Sequence, residues 1–279
     1  MSIVISSSVV ISDVISGGGI ITADNPLIGY DNIVVPANLT STTEDPDFPV
    51  INLTNPATHL RWKGLVSSPE DDEYLTITNN DVEAIDYVAF ARHNFFTAQI
   101  AVSVEFLDID ASPDSWEELI APVILPSDGP ALFRFPKLAY AAVRLRLQPG
   151  SAAPTAAVLY AGELLVLQRR MYVGHTPITM GRAIMPVSNR SVSGNFLGRI
   201  VLGRKVGTQV SLQNLTPDWY RTYMAPFVLA AEEIPFFFAW RPSSYPNEIG
   251  YAWLSQDAIP KNQRNNGMMQ IDFQMEGVI

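Results

Sequence analysis

The stretch PFFFAW, Pro235 to Trp240, decides how this chain is read. In an extended backbone, side chains alternate between two faces. Phe236, Phe238 and Trp240 then share one face, and Phe237 and Ala239 share the other. A strand apolar on both faces is covered on both. The wider stretch IPFFFAWRPSSYP (234–246) adds Tyr245 and the prolines Pro242 and Pro246. It reads as a ligand-stacking platform, a contact surface for another protein, or the core strand of a β fold.

Its neighbours favour the core strand. LTPDWYRTYMAPFVLAAEE (215–233) carries helix signals. Thr216 stands at a capping position, Pro217 at the first helical position, and Asp218 in the first turn. Trp219, Tyr223 and Phe227 fall at helical spacing, and Pro226 predicts a bend. GMMQIDFQME (267–276) alternates through Met269, Ile271, Phe273 and Met275, as a closing strand does. One face of 236–240 is thus expected to pack on the helix. The other face meets a second sheet or the next subunit, so Phe237, Trp240 and Tyr245 are the expected oligomer contacts.

Upstream, many short strands follow one another. Residues 74–78, 85–91, 99–107, 141–147 and 157–167 alternate or run apolar between turn signals. In 141–147, Val143, Leu145 and Leu147 point inward and Arg144 and Arg146 outward. Pro36 makes 33–40 an edge or irregular strand. A short helix is expected near Ser115–Leu119, with Glu117 and Glu118 in its first turn. Such a series of strands indicates an antiparallel sandwich. Residues 1–24 read as an arm that is flexible or pairs with a neighbouring chain. Residues 25–167 form the sandwich. Residues 168–279 form a smaller β domain with one helix, in which 191–213 have the rhythm of a hairpin punctuated by Gly194, Gly198, Gly203 and Gly207.

Charge is scarce and uneven. Only 16% of the 279 residues are charged, below the ~25% usual for soluble domains. A large assembly that hides its surface, or a bland β protein, would account for that. Residues 1–164 hold 7 Lys and Arg against 21 Asp and Glu; residues 165–279 hold 11 against 7. A net −14 in the first part argues against duplex nucleic acid as its ligand, since phosphates need a basic face. There are no cysteines, which excludes disulfides and thiolate chemistry. No run reaches the ~18 apolar residues of a membrane helix. The first residues lack a basic, apolar leader pattern, so the four Asn-X-Ser/Thr sequons read as chance and folding in a cytoplasm is expected.

Chemistry-bearing motifs are few. His59, His93 and His175 share no metal-ligand spacing. The run Glu70–Glu73 offers oxygen ligands for calcium, or is a solvated loop. The adjacent pairs Glu117/Glu118 and Glu232/Glu233 point apart and cannot flank one glycosidic bond. No nucleophile elbow, P-loop or dinucleotide fingerprint occurs. Neither a catalytic residue nor a metal or cofactor is expected. Arg61, Trp62 and Phe95 could form a sugar-stacking rim, with Lys63 and Phe96 beside them. The plainer alternative has Trp62 plugging the bottom of the sandwich while Arg61 pairs with a nearby carboxylate.

Two resemblances rest on these stretches. The proline-rich segment ending in Arg61-Trp62, the strands EYLTIT and VAFARHN, and the terminal YAGELLVL resemble the galactose-binding-like (discoidin) β-sandwich over about residues 25–165. That resemblance implies ligand loops gathered at one end. NFLGRIV, NLTPDWYRTYMAPF, PFFFAWRPSSYPNEIGYAW and GMMQIDFQMEGV resemble minor tail and tail-tip proteins of tailed bacteriophages, here with the sandwich first, the reverse of the commoner order in distal tail proteins. That resemblance implies a structural subunit of a tail tip or baseplate, not an enzyme. It would form a homo-oligomeric ring in the virion with other tail proteins as partners. Attachment to a surface glycan is the alternative, and an unrecognised hydrolase the third.

Overall fold

The computed structural model describes residues 2–9, 21–65, 71–171, 174–263 and 267–278. Its strands fall into three stacked sheets. The outer sheet has the order β3 (Leu39–Ser41), β5 (Glu73–Thr78), β10 (Ala142–Leu147), β7 (Ala101–Asp108), β8 (Ser115–Ile124). The middle sheet runs β1 (Ser2–Ile5), β9 (Ala131–Leu138), β6 (Ile85–Ala91), β12 (Val158–Gly162). A short pair, β4 (Trp62–Lys63) with β11 (Thr155–Ala156), lies beside them. The third sheet runs β13 (Leu165–Val166), β2 (Leu27–Gly29), β16 (Phe236–Ala239), β17 (Ile249–Leu254), β19 (Met268–Val278), β15 (Phe196–Leu215), β14 (Arg182–Arg190), with β18 (Ile259–Gln263) also on β19. Pairing is antiparallel apart from β1 on β9.

Alternation sorts the apolar side chains into three cores. Leu75, Ile77, Val143 and Leu145 of the outer sheet face Val88, Phe90, Phe133 and Leu159 of the middle sheet. This is the expected sandwich, and Arg144 and Arg146 point outward from it as predicted. The middle sheet is apolar on its other face too. Tyr87, Ala89, Leu132 and Tyr160 pack there against Phe237, Ala239, Ile249 and Tyr251 of the third sheet. Phe236 and Phe238 turn the opposite way, onto the helix. The chain is thus four layers deep, with β16 buried on both faces as its alternation requires.

Phe237 is fully buried, and the neighbour that covers it is the chain's own middle sheet. Its ring meets Tyr160 edge-on at 5.5 Å and Tyr251 at 5.0 Å. This removes Phe237 from the expected oligomer contacts. Gly29 belongs to the same interface: a Cβ there would stand 2.8 Å from Cε2 of Tyr87. Two short strands of the first half, β2 and β13, join the third sheet.

The helix forms with a fault in it. Residues Pro217–Trp219 (α1) and Ala225–Ala231 (α2) are α-helical, and Tyr220–Met224 between them is a π turn. The Ala225 N–H reaches back to the Tyr220 carbonyl. Pro226 has no N–H to continue the ladder, and a widened turn absorbs it in place of a sharp kink. Thr216 caps with its backbone only. Its side chain accepts instead from Gln168 Nε2, at 2.9 Å.

Three other expectations change. Ser115–Leu119 is part of strand β8, because pairing to β7 outweighs the local helix signals. Trp116 lies under the Arg144 guanidinium, which Tyr74 flanks as well, each ring 4.1 Å away. Strand β9 has no counterpart in the sequence reading, because Pro130 and Pro136 mimic loop signals. Pro136 sits where the β9–β6 register shifts, a position that needs no ladder N–H. Ser2–Ile5 pairs with β9 of its own chain; most of the remaining expected arm, 10–20, lies outside the described residues.

Two predictions follow from this packing. Phe237→Ala is expected to cost about 3–5 kcal/mol, the range for emptying a buried aromatic site, measured by chemical denaturation. The second concerns His93, buried between Phe90 and Phe95. Its Nε2 donates to the Gly129 carbonyl at 2.7 Å and its Nδ1 accepts from the Phe95 N–H at 3.2 Å, the pattern of a neutral ring. Burial holds its pKa down to about 4. The unfolded chain, near 6.5, binds this proton first, so His93 costs stability as pH falls from about 6.5 to about 4, by about 3 kcal/mol in all. Asp86, pushed up to about 6 by burial, acts in the opposite sense over most of that range, from about pH 6 downward. The His93 part is therefore read as wild type minus His93→Gln, and this difference should fall steadily as pH drops through the window.

Candidate functional site

The three residues of the expected sugar rim do not assemble. Trp62, in β4, is fully buried in the sandwich core beside Ala156, so it plugs the structure as the plainer reading held. Phe95 is fully buried against Phe90, ring centres 5.0 Å apart. Arg61 is exposed, and its carbonyl accepts from Asn52 Nδ2 at 2.7 Å. Of the aromatics in the segment, Phe96 reaches solvent. Buried rings offer no face to a sugar.

The acidic run is used inside the fold. Glu70 lies outside the described residues. Asp72 binds Arg146 at 2.6 Å, and buried Glu73 accepts from the Thr43 N–H at 2.7 Å. Among the described residues no group of three or more His, Asp or Glu is placed to hold a metal ion.

Trp240 and Tyr245 do come together. Their rings stack at 5.4 Å and 3°. His175 flanks Trp240 at 5.1 Å, and the Arg241 guanidinium lies 5.3 Å from the Tyr245 ring. Trp240 Nε1 donates to Glu248. Arg241 and Ser244 converge on Asp24 at 3.0 and 2.6 Å. Burial would raise the Asp24 carboxyl, but these bonds hold it below its ordinary value. Trp240 is half-buried and Tyr245 exposed, which leaves a small aromatic ledge.

A run of exposed apolar side chains lies elsewhere. Strand β15 is 20 residues long, and β19 pairs with it only from Val206 onward. Among the described residues the rest, Phe196 to Lys205, pairs with β14 alone, so the two strands leave the sheet as a ribbon. The hairpin is thus longer than 191–213 and starts earlier. All nine residues of β14 are exposed. Phe196, Ile200 and Leu202 are 67%, 66% and 71% exposed, and Ile184, Met185, Val187, Leu197 and Val201 are exposed with them. Two register shifts leave Leu197 and Leu202 without cross-strand partners. Such bulges sharpen the twist and re-aim side chains; Gly198, at φ +143°, supplies the backbone freedom at the first. Between 182 and 205 there are five Lys or Arg and no acidic residue.

A pocket of ≈ 410 Å³ lies on the helix side of the third sheet. Tyr30, Trp219 and Tyr223 line it together with Asp31 and Glu163. Asp31 accepts from the Glu163 N–H at 3.1 Å, and Glu163 pairs with Lys137 at 2.5 Å. Burial raises the Tyr30 phenol, and the charges of Asp31 and Glu163 add to that. By sequence Trp219 and Tyr223 share a helix face, but nothing local joins them to Tyr30, Asp31 and Glu163, which come from segments that only folding brings together.

No known protein-family profile matches this chain, and no curated protein matches it. Solved structures do. A chitosan-binding module from a Paenibacillus sp. IK-5 chitosanase/glucanase is similar at 10% identity and TM-score 0.39, over 47% of this chain and 98% of the module. A CBM32 module from Clostridium perfringens, solved with GalNAc-β-1,3-galactose, is similar at 12% identity and TM-score 0.37, over 44% and 93%. The CBM32 of AlyQ, in complex with 4,5-unsaturated mannuronic acid, is similar at 14% identity and TM-score 0.36, over 48% and 96%. In each case under half of this chain is matched.

Proposed function

We propose that this chain is a structural subunit of a larger assembly, of the tail-tip or baseplate kind, and that the β14–β15 ribbon is where it joins other copies. The observation that carries this reading is the exposed ribbon itself. Soluble monomers rarely expose a contiguous apolar patch beyond a few hundred Å². Burying one Val, Leu, Ile or Phe side chain is worth about 1.5–3 kcal/mol, and the ribbon with its turn exposes nine large apolar side chains from Ile184 to Leu202. Among the described residues both of its edges are also unpaired beyond the sheet, a state proteins avoid unless a partner covers it. The scarcity of charge agrees with such a role, because interface cores are depleted in charge.

Mass photometry and light scattering test this. The wild type is expected to form oligomers of defined number. Ile200→Ser with Leu202→Ser should shift it toward monomer while leaving the far-UV circular dichroism unchanged, since neither side chain is packed in the monomer. A wild type that stays monomeric at high micromolar concentration rejects the reading.

Carbohydrate binding, the property named for the modules above, is the second reading. The observation that favours it in this chain is the helix-side pocket, where aromatic rings stand beside carboxylates that could accept from sugar hydroxyls. Glycan-array binding that is lost on Tyr223→Ala would support it, and a blank array for the wild type would remove it.

A further inference from the structure

At the root of the ribbon a cavity of ≈ 570 Å³ is lined by Arg92, Arg182, Ile184, Arg204, Lys205 and Val206. Arg92 follows β6 of the middle sheet; the others come from β14 and β15. Four cationic side chains thus converge from two layers. Lys205 is neutralised by Glu276 at 2.7 Å. Arg182 donates only a long bond, 3.4 Å, to the Thr179 carbonyl. Arg92, Arg182 and Arg204 have no ion pair among the described residues. In a chain of net charge −10, three uncompensated guanidiniums around one cavity mark a place for carboxylates.

The matching surface belongs to another layer of the same molecule. The β7–β8 hairpin carries Asp108, Asp110, Asp114, Glu117 and Glu118, and no Lys or Arg between 108 and 118. The last four are exposed. None of the five has an ion pair among the described residues. Among the described residues strand β8 is also an unpaired edge of the outer sheet. The acidic hairpin therefore belongs to the outer layer, while the basic cavity lies between the middle layer and the ribbon. We propose that the acidic β7–β8 hairpin of one copy docks into the basic cavity at the ribbon root of the next, an inference that rests on the assembly reading above. Two unlike patches on one chain make a head-to-tail contact, which closes into a ring or continues as a filament. Complementary charge sets the register, and the apolar ribbon supplies the adhesion.

A charge-swap experiment tests the pairing. One variant carries Arg182→Glu and Arg204→Glu. The other carries Asp114→Lys, Glu117→Lys and Glu118→Lys. All five side chains are exposed, so the far-UV circular dichroism of each variant should match the wild type. Each variant alone sets like charges against each other and should weaken self-association by about tenfold or more. Mixing the two makes both contacts attractive again, so the mixture should recover oligomers by mass photometry. Oligomers that neither variant disturbs would overturn this contact and leave the assembly reading standing. Single variants that fail to associate but are not rescued by mixing would overturn the pairing of these two patches. A wild type that is monomeric throughout would overturn both.

Discussion

The packing of the middle sheet on both of its faces is the constraint on which the rest depends. Strand β6 is buried at every position from Ile85 to Ala91. Val88 and Phe90 serve the sandwich core, while Tyr87 and Ala89 serve the contact with the third sheet. Three tyrosines complete that contact. Tyr160 donates to the Pro235 carbonyl at 3.1 Å, Tyr251 to that of Pro56 at 2.8 Å, and Tyr87 to that of Asp31 at 2.5 Å. Burial raises all three phenols, so they stay protonated and remain donors. A buried hydroxyl without a partner costs about 1–3 kcal/mol. Each bond therefore holds a different loop in one place, and together they register the third sheet against the middle one.

That registration gives the ribbon its direction. Strand β15 pairs with β19 through its second half and with β14 through its first. Its base is thus rooted in a sheet that the middle layer holds from below and the helix covers from above. A ribbon that exposes so much apolar surface is an aggregation hazard unless its partners are defined. Pro186 in β14 and the two bulges reduce the chance of unspecific edge pairing, and its five cations repel another copy of the ribbon.

The few charges are placed with economy. On the solvent face of the outer sheet, Glu105 binds Arg144 at 2.6 Å and lies 3.6 Å from Arg146, which also binds Asp72. These cross-strand pairs cover a sheet face that water would otherwise reach. Two groups of charges without an ion pair among the described residues stand apart: acids on the β7–β8 hairpin and cations around the ribbon root. The net −14 and +4 of the two parts of the sequence are the one-dimensional trace of this separation.

The sequence by itself determined the elements whose side chains alternate cleanly. Phe236 to Ala239, Val143 to Leu147 and the closing strand 267–276 were legible, because a period of two is a local property. So was the inference that Phe237 must be covered. What covers it was not legible, since Tyr160 lies 77 positions upstream and only the tertiary fold sets them face to face. The same limit misled the reading of Trp62 and Phe95, whose exposure depends on how the sandwich closes, and of Ser115–Leu119, where pairing with β7 overrode a helix signal. The ribbon was half visible as a hairpin rhythm. Its exposure was decided by the length of β15 relative to β19, a comparison between strands more than 50 residues apart. The helix-side pocket and the basic cavity had no local signature at all, because their side chains meet only when distant segments are stacked in layers.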